Sequence, residues 1–312
     1  MGIYRAAMDI GTNSCRLIIA EIDDTGDYTH LRRTRITRIG EGLGQGNLHI
    51  SRAAMDKTLE ALAEYKAIIA RYPVEKNRLV GTQALREADN GLAFAAEVKE
   101  KTGFDLEIIS GGQEAFLSYS GAVMGLAGTG LSEPLVLDIG AGSTELFFED
   151  EGENGAGQIT GVSAPVGSLR LLEKPMDAQS IFNALKKGWM GVDIPDERRY
   201  GTGVGAGNPM EKKRPLLAVG GTATTLGAMH LHMKEYDPEA LRGLRIDEGQ
   251  VGAVITLLDG LRPEERLALP GMMPGREDVM PWGLRILLAA MCYCKRDSVL
   301  ICDRDLLYGA LY

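Results

Sequence analysis

The sequence predicts an α/β protein built from two domains that repeat one architecture. Residues 9–17 read DIGTNSCRL and residues 138–146 read DIGAGSTEL, with five of nine positions identical. Apolar runs precede and follow each copy, which is typical of a strand, a tight glycine turn and a second strand. A chain of 312 residues is long enough for two domains. We therefore expect domains at residues 1–126 and 127–312.

The first half continues with alternating strands and helices. We expect a strand rich in arginine (30–43), a helix (51–73), a strand that runs into a turn (78–88), a helix closed by Gly103 (90–103), and a strand, Gly-Gly turn and helix (104–128). Ser51 is a typical N-cap residue, apolar residues follow it at helical spacing, and Pro73 marks the end of that helix.

The second half repeats this order. It predicts a third strand and a helix start (157–174), a strand, Gly-Gly turn and helix (214–230), a helix (278–294), and a strand followed by a last helix (298–312). Residues 194–215 are polar and glycine-rich without apolar periodicity, so we expect a surface loop whose role the sequence leaves open.

The composition bounds the classes of function. Hydrophobic residues make up 45% and charged residues 25%, and no apolar run is long enough for a membrane span. The net charge of −9 argues against a general binder of duplex nucleic acid. The four cysteines lack metal-binding spacing, and the first residues do not read as a signal peptide. We therefore expect a cytoplasmic location and reduced thiols.

The two repeated turns predict a phosphate-binding site. Glycines let the backbone approach an anion closely, and short hydroxyl and amide side chains add donors. A third turn with a Gly-Gly-Thr sequence begins a helix, where anions bind readily, although its threonine is equally well explained as an N-cap. The candidate phosphate-binding residues are Gly11, Thr12, Asn13, Ser14, Arg16, Gly140, Ala141, Gly142, Ser143, Thr144, Gly220, Gly221 and Thr222.

Three carboxylates are candidate metal ligands. Asp9 and Asp138 stand at the ends of the strands that precede the repeated turns, and Glu145 follows the second turn. Magnesium prefers carboxylate and water ligands. The first copy is neutral to basic, whereas the second ends in Glu145, so we expect the first turn to hold mainly phosphate and the second to hold the metal as well.

The chain as a whole resembles the exopolyphosphatase and guanosine pentaphosphate phosphatase (Ppx/GppA) family of the actin, heat-shock-chaperone and sugar-kinase superfamily. The matching phrases cover nearly the whole chain and occur in the same order as in the family. The chain resembles the short, two-domain members. It is carried by MDIGTNSCRLIIAEI, RIGEGLGQGNLHISRAAM, GTQALREADN, IISGGQEAFLSYSGA, LVLDIGAGSTELFF, VGSLRLLE, AVGGTATTLGAM, EDVMPWGLRILLAAM and CDRDLLYGALY. It implies two ribonuclease H-like, or actin-like, domains with a cleft between them.

The resemblance also implies catalytic roles. Glu114 matches the glutamate that positions or deprotonates the attacking water, and Arg86 matches an arginine that binds substrate phosphate. Without the resemblance, Glu114 is better explained as a first-turn glutamate that favours the helix dipole, and Arg86 is better explained as a surface arginine. The chain departs from the family at Gln113, where a glutamate is common, and at Ala141, where a glycine is common.

Other arginines are left without an assignment. Strict alternation places Arg33 and Arg35 on one face of a strand and Arg32 and Arg38 on the other. One of these faces lines a polyphosphate path, or the strand is a charged edge strand that resists aggregation. Whether Arg276 and Arg285 face substrate is also open.

The expected function is hydrolysis of a terminal phosphoanhydride, assisted by Mg²⁺ or another divalent cation. The expected substrate is inorganic polyphosphate, with guanosine pentaphosphate as the alternative. A nucleotide-binding regulator with a weak active site is an alternative of another class, and a sugar kinase is a remote one. We expect no membrane and no duplex nucleic acid as partners, and homodimerisation is left open.

Overall fold

A computed structural model describes residues 2–24, 26–43, 46–127, 129–151, 157–191, 194 and 213–312. Most of the surface loop expected at 194–215 lies outside these residues. Contacts divide the chain into two units, which we call unit 1 (Met1–Gly121 with Leu306–Tyr312) and unit 2 (Ala122–Asp305). Among the described residues, none of the helices has the length and hydropathy of a membrane span.

Unit 1 contains a five-stranded sheet in the order β3-β2-β1-β4-β5. Its elements are β1 (Ile3–Ile10), β2 (Ser14–Asp23), β3 (Gly26–Ile36), α1 (Arg52–Ile69), β4 (Lys76–Gly81), α2 (Gln83–Glu87), α3 (Gly91–Thr102), β5 (Leu106–Ile108), α4 (Gly111–Gly125, which continues into unit 2) and α12 (Leu306–Gly309). β1 pairs antiparallel with β2 and parallel with β4.

Unit 2 contains a six-stranded sheet in the order β10-β11-β9-β6-β7-β8. Its elements are β6 (Leu135–Ile139), β7 (Thr144–Glu151), β8 (Gly157–Ala164), α5 (Ser168–Glu173), α6 (Ala178–Gly188), β9 (Leu216–Val219), α7 (Gly220–His230), α8 (Pro238–Leu241), β10 (Leu244–Asp247), α9 (Glu248–Asp259), α10 (Pro263–Leu267), α11 (Met280–Tyr293) and β11 (Ser298–Ile301).

The two sheets repeat one pairing pattern. β6 pairs antiparallel with β7 and parallel with β9, as β1 does with β2 and β4. The repeat extends to the register, because Asp9 lies beside Val80 and Asp138 lies beside Val219 in the parallel pairs. The predicted pair of α/β domains with the same architecture is therefore confirmed.

Strand alternation decides which face of the unit 1 sheet each side chain joins. Met8 and Ile10 of β1 belong to the core under α1 and α3, whereas Ala7 belongs to a second core with Leu117 of α4. Side chains two apart in a strand share a face. Asp9 therefore lies on the same face as Ala7, toward α4.

The final residues pack in unit 1 rather than in the unit that precedes them. Leu306, Leu307 and Leu311 join the core formed by Ala7, Ile18 and Val80. The sequence predicts 306–312 in the second domain and a boundary at 126, whereas the contacts divide the chain after Gly121 and return 306–312 to unit 1. A contact between the two ends of the chain has no local signal in the sequence.

Two local expectations are wrong. The strand over 30–43 ends at Ile36, and Arg38 has a left-handed φ of 47°, so the alternation does not extend to Arg38. The stretch 78–88 also contains a short helix, α2, in place of a turn. β3 lies at the edge of its sheet, with Arg35 paired to Glu64 and Arg32 above the Tyr308 ring.

Candidate active site

The first repeated turn is a tight loop closed by its own backbone. The Gly11 N–H donates to the Ser14 carbonyl at 2.9 Å. The loop carbonyls bind the segment that follows β3: Thr12 O accepts from Gly40 N at 3.0 Å, and Asn13 O accepts from Thr37 N at 3.1 Å and Arg38 N at 2.9 Å. These bonds fix the loop from one side.

The second repeated turn is closed by the same bond. The Gly140 N–H donates to the Ser143 carbonyl at 2.9 Å. Its carbonyls bind the start of α5, because Gly140 O accepts from Ser168 N at 3.0 Å and Ala141 O accepts from Leu169 N at 3.0 Å. The two copies therefore share their internal hydrogen bond, although different segments of the chain hold them.

Both turns point backbone N–H groups away from the segments that hold them. In a trans peptide, the carbonyl and the following N–H point in opposite directions. The Thr12 carbonyl faces Gly40, so the Asn13 N–H faces away from it. By the same reasoning, the Ala141 and Gly142 N–H groups face away from α5. Outward N–H groups on a tight turn are suited to an anion.

The residues around the second turn are packed so closely that a larger side chain would not fit at Gly167. A Cβ at Gly167 would lie 2.2 Å from the Ala141 carbonyl oxygen. Thr144 is fully buried, and its hydroxyl donates to the Val166 carbonyl at 2.6 Å. The Thr144 side chain therefore fastens the loop instead of facing an anion.

The third predicted turn lies beside the second. Gly220 has a φ of 76°, and a Cβ there would lie 2.6 Å from Asp138 Oδ1. Val219 is the N-cap of α7, and the buried Thr222 hydroxyl donates to the Ile139 carbonyl at 3.2 Å. Thr222 therefore ties α7 to the end of β6 and is not the N-cap that the sequence left as an alternative.

Arg276 lies against this third turn. A Cβ at Gly221 would lie 1.6 Å from Arg276 Nη2, so the guanidinium occupies the space above the glycine backbone. The sequence left the role of Arg276 open, because nothing in its local pattern links it to a turn 55 residues earlier. Arg285, in contrast, pairs with Asp259 at 2.6 Å and stacks over the Trp282 ring.

The two candidate metal-binding aspartates have cross-strand neighbours of opposite charge. Asp9 faces Arg16 in the β1–β2 pair, and Arg16 Nε lies 3.0 Å from both Asp9 carboxylate oxygens. Asp138 faces Glu145 in the β6–β7 pair, and Glu145 accepts a hydrogen bond from Ser163 Oγ at 2.7 Å. The second turn thus has two carboxylates, Asp138 and Glu145, at the positions where the first turn has the Asp9–Arg16 ion pair.

The donor set for a divalent cation fits unit 2 better than unit 1. Asp138 and Glu145 pair one carboxylate with another across the β6–β7 ladder, and carboxylates are ligands that magnesium prefers. Asp9 instead faces the positive charge of the Arg16 guanidinium, which disfavours a cation beside it. Within the described ranges, no group of three or more His, Cys, Asp and Glu residues is arranged to hold a metal ion.

Glu114 and Arg86 meet at the start of α4. Arg86 Nη1 donates to Glu114 Oε2 at 3.0 Å and to the Ile109 carbonyl at 2.8 Å. The Glu114 side chain is 15% exposed and the Arg86 side chain is 33% exposed. The fold therefore brings together the two candidate catalytic residues, which stand 28 positions apart.

The environment of Glu114 raises its pKa. Burial is the main cause, because it disfavours the charged carboxylate. The Arg86 guanidinium lowers the pKa through its charge and its hydrogen bond, and the Asp9 charge raises it. Asp9, Arg16, Arg86 and Glu114 thus form one electrostatic cluster in unit 1.

Gln113, where the chain departs from the family pattern, has a structural role at the start of α4. The Gln113 N–H donates to Ser110 Oγ at 3.2 Å, and Gln113 Oε1 accepts from the Ser110 N–H at 2.9 Å. This reciprocal pair is a capping box at the start of α4. Gln113 therefore fixes the helix turn that carries Glu114.

The comparisons with known proteins place the chain among phosphatases. A sequence model of the Ppx/GppA phosphatase family matches residues 18–312. The chain therefore belongs to this family, and the resemblance found in its motifs is confirmed. The roles assigned above to single residues remain predictions.

Three curated relatives differ in how much of them the chain spans. Exopolyphosphatase 2 of Mycobacterium tuberculosis is 32% identical, with 97% of this chain and 96% of the relative covered. A guanosine-5'-triphosphate,3'-diphosphate pyrophosphatase of Vibrio atlanticus is 27% identical, and the chain covers 58% of it. A bifunctional 3-dehydroquinate synthase/phosphatase of Fusobacterium nucleatum is 27% identical, and the chain covers 46% of it.

Solved structures share the whole fold. A crystal structure of an exopolyphosphatase-like protein has a TM-score of 0.83 at 27% identity, with 99% of this chain and 97% of that chain covered. The Ppx-GppA enzyme of Aquifex aeolicus has a TM-score of 0.74 at 28% identity, with 99% and 98% covered. The predicted fold class is thus confirmed.

Proposed function

We propose that this phosphatase hydrolyses the terminal phosphoanhydride bond of inorganic polyphosphate. The observation that carries the proposal is the Glu114 carboxyl group, which is mostly buried beside Arg86. Burial and the Asp9 charge raise the pKa of Glu114. A carboxylate with a raised pKa accepts a proton more readily at neutral pH, which suits a general base.

Glu114 acts on the attacking water in this mechanism. Its carboxylate takes a proton as the water oxygen bonds to the terminal phosphorus. The anhydride P–O bond breaks, and the shortened chain leaves with the bonding electron pair as an anion. Most of the rate enhancement then comes from position and charge, because phosphoryl transfer needs no covalent nucleophile.

Arg86 is suited to hold the terminal phosphate while it orients Glu114. Both of its described hydrogen bonds use Nη1. The rest of the guanidinium fork is available for phosphate oxygens, which arginine binds in a bidentate manner. The outward N–H groups of the first repeated turn, in the same unit, supply further donors without a net positive charge.

Asp138 and Glu145 would hold the divalent cation. Their facing positions across the β6–β7 pair give two carboxylates at the second turn. A magnesium ion bound there would neutralise negative charge on phosphate oxygens at the second turn. Arg16 makes Asp9 a poorer ligand, which supports the expected division between a first turn for phosphate and a second turn that also serves the metal.

Polyphosphate is favoured over guanosine pentaphosphate by sequence identity. The chain is 32% identical to the mycobacterial exopolyphosphatase and 27% identical to the Vibrio pyrophosphatase. Guanosine pentaphosphate hydrolysis remains the alternative to be tested in parallel.

The first prediction concerns Glu114→Gln. This change removes the base but keeps the shape of the side chain, so phosphate release from polyphosphate should fall at least about a hundredfold. Phosphate release is measured with triphosphate, long polyphosphate and guanosine pentaphosphate in the presence of Mg²⁺. The matched control is Glu75→Gln, an exposed glutamate in unit 1, which should keep wild-type rates.

Three results would contradict this assignment in different ways. Equal rates for wild type and Glu114→Gln would remove Glu114 from the mechanism. Faster release from guanosine pentaphosphate than from every polyphosphate would make the nucleotide the substrate. Binding of guanosine tetraphosphate without turnover of any anhydride would favour the regulator.

The second prediction concerns the metal. Asp138→Asn removes one carboxylate of the facing pair, so the Mg²⁺ concentration needed for half-maximal activity should rise at least about tenfold. The measurement is a Mg²⁺ titration of phosphate release, with Glu235→Gln, an exposed change in unit 2, as control. An unchanged Mg²⁺ requirement in Asp138→Asn would remove Asp138 from the metal site.

A further inference from the structure

Unit 2 contains a cavity of about 470 Å³ that lies away from the three glycine turns. We call it the methionine pocket. Six of its lining residues define it: Met233, Lys234, Tyr236, Leu269, Met272 and Met273. Its volume is within the range of roughly 300–1,000 Å³ that is typical of small-molecule sites.

The lining chemistry selects a class of ligand. Three methionines, a leucine and prolines give an apolar, adaptable wall, because methionine side chains are flexible and polarisable. Among the described residues that line the pocket, Lys234 is the one with a charge, and it is exposed at the rim. An apolar body with a single negative group would match this arrangement.

The pocket lies at the C-terminal end of α7. Ala228 of α7 lines it, and the chain turns back there, with the Met233 N–H donating to the Ala228 carbonyl at 2.9 Å. Gly271, which also lines the pocket, has a φ of 81°, and a Cβ there would lie 2.2 Å from the Ala228 carbonyl carbon. This wall therefore contacts the backbone of α7 directly.

The same wall reaches the other end of α7. Five residues after Gly271, the Arg276 guanidinium lies on Gly221 in the first turn of that helix. The segment 271–276 thus contacts α7 at the end that forms the methionine pocket and at the end that forms the third glycine turn. A ligand that displaces this segment at the methionine pocket can therefore change the third glycine turn through direct packing contacts.

We infer that the methionine pocket binds a small amphipathic anion, with an apolar chain and one carboxylate, and that its occupancy changes the rate of phosphate release through segment 271–276. The apolar chain lies among the methionines, and the carboxylate pairs with Lys234. Only the effect on rate rests on the proposed function, because binding is measurable without any substrate.

The binding test uses decanoate as the probe and decanol as its uncharged counterpart. Titrations are followed by isothermal calorimetry and by amide NMR of the full chain. Decanoate should bind saturably, and Lys234→Met should weaken decanoate at least about fivefold while leaving decanol unchanged. Lys57→Met, an exposed lysine of α1, is the matched control. No saturable binding of decanoate would overturn the site.

A filling substitution tests the location. Ala268 lines the pocket and is exposed, so Ala268→Trp should block decanoate without disturbing the core. Ala93→Trp, at an exposed position of α3 in unit 1, should bind decanoate as the wild type does. Equal decanoate affinity in Ala268→Trp and wild type would place the ligand elsewhere and overturn the inference.

The coupling is read in two ways. Saturating decanoate should change phosphate release at least about fivefold, within the range of known allosteric couplings, and Ala268→Trp should abolish the response. Without substrate, decanoate should shift the amide resonance of Gly221. If decanoate shifts the Gly221 resonance but the protein releases no phosphate, the proposed activity is contradicted and the inferred coupling is not. Binding with neither a Gly221 shift nor a rate change would overturn the coupling.

Discussion

At the scale of the residue, opposing effects act on the pKa of Glu114. Burial and the Asp9 charge favour the protonated acid, and the Arg86 guanidinium favours the carboxylate. The net result is a raised pKa. Because a general base acts when it is unprotonated, activity should rise with pH through a value above the ordinary glutamate pKa of about 4.3.

The third prediction follows from the sign of the Arg86 contribution. Arg86→Gln removes a positive charge and a hydrogen bond that lower the pKa of Glu114. The pKa should therefore rise further, and the acid limb of kcat/KM should move to higher pH. The measurement is kcat/KM for phosphate release as a function of pH.

Arg86→Lys is the matched variant, because it keeps the charge and loses the planar fork. Its acid limb should lie closer to that of the wild type than the limb of Arg86→Gln. An acid limb that stays in place in Arg86→Gln would mean that Glu114 does not control it. Loss of rate alone would not distinguish a pKa effect from lost phosphate binding, so the position of the limb is the deciding quantity.

At the scale of the element, the start of α7 depends on one glycine. Gly220 joins β9 to α7 with a positive φ and brings the backbone next to Asp138. An L-residue is strained at such a φ. The close approach also leaves no room for a methyl group, since a Cβ would lie 2.6 Å from Asp138 Oδ1.

The fourth prediction is that Gly220→Ala lowers both stability and activity. The strained backbone and the displaced Asp138 should reduce the free energy of unfolding by about 1–3 kcal/mol. Urea unfolding measures the stability, and phosphate release measures the effect on the site.

Gly252→Ala is the matched control for this substitution. Gly252 lies within α9, and a Cβ there has open space around it. Alanine is favoured over glycine in a helix interior by about 0.5–1 kcal/mol, so this variant should be more stable than wild type. Equal stability for Gly220→Ala and Gly252→Ala would show that the turn does not need glycine.

At the scale of the whole molecule, unit 1 is built from both ends of the described chain. Leu307 is 2% exposed and joins the core with residues of β1, β2 and α4. Gly309 lies so close to α4 that a Cβ would be 2.1 Å from the Leu117 carbonyl oxygen. The last helix is therefore a part of the same core that lies under Asp9.

The fifth prediction is that Leu307→Ala destabilises unit 1. Loss of a buried leucine side chain typically costs about 2–5 kcal/mol of unfolding free energy. Hydrogen exchange followed by mass spectrometry should show lost protection in β1, β2 and α4, with smaller changes in β6, β7 and β9.

Leu257→Ala provides the control for this prediction. Leu257 is an exposed residue of α9, so its removal should change stability by less than about 0.5 kcal/mol. Loss of protection confined to unit 2 in Leu307→Ala would contradict the assignment of the last helix to unit 1.

Local patterns in the sequence determined the two hairpins and most of the helices. The repeated phrase predicts strand, turn and strand because glycine, polar turn residues and flanking apolar runs act over a few residues. Ser51 and Gly103 mark helix ends for the same reason, and the structure places both as caps. The pairing of Asp9 with Arg16 also follows from the sequence, because a closed turn fixes the cross-strand register.

Only the tertiary structure decided the contacts between distant segments. The Arg86–Glu114 pair, the position of Arg276 on Gly221 and the return of the last helix to unit 1 each depend on how separate elements pack. No local periodicity encodes such contacts. The pKa of Glu114 depends on them too, because burial and neighbouring charges arise only after the chain has folded.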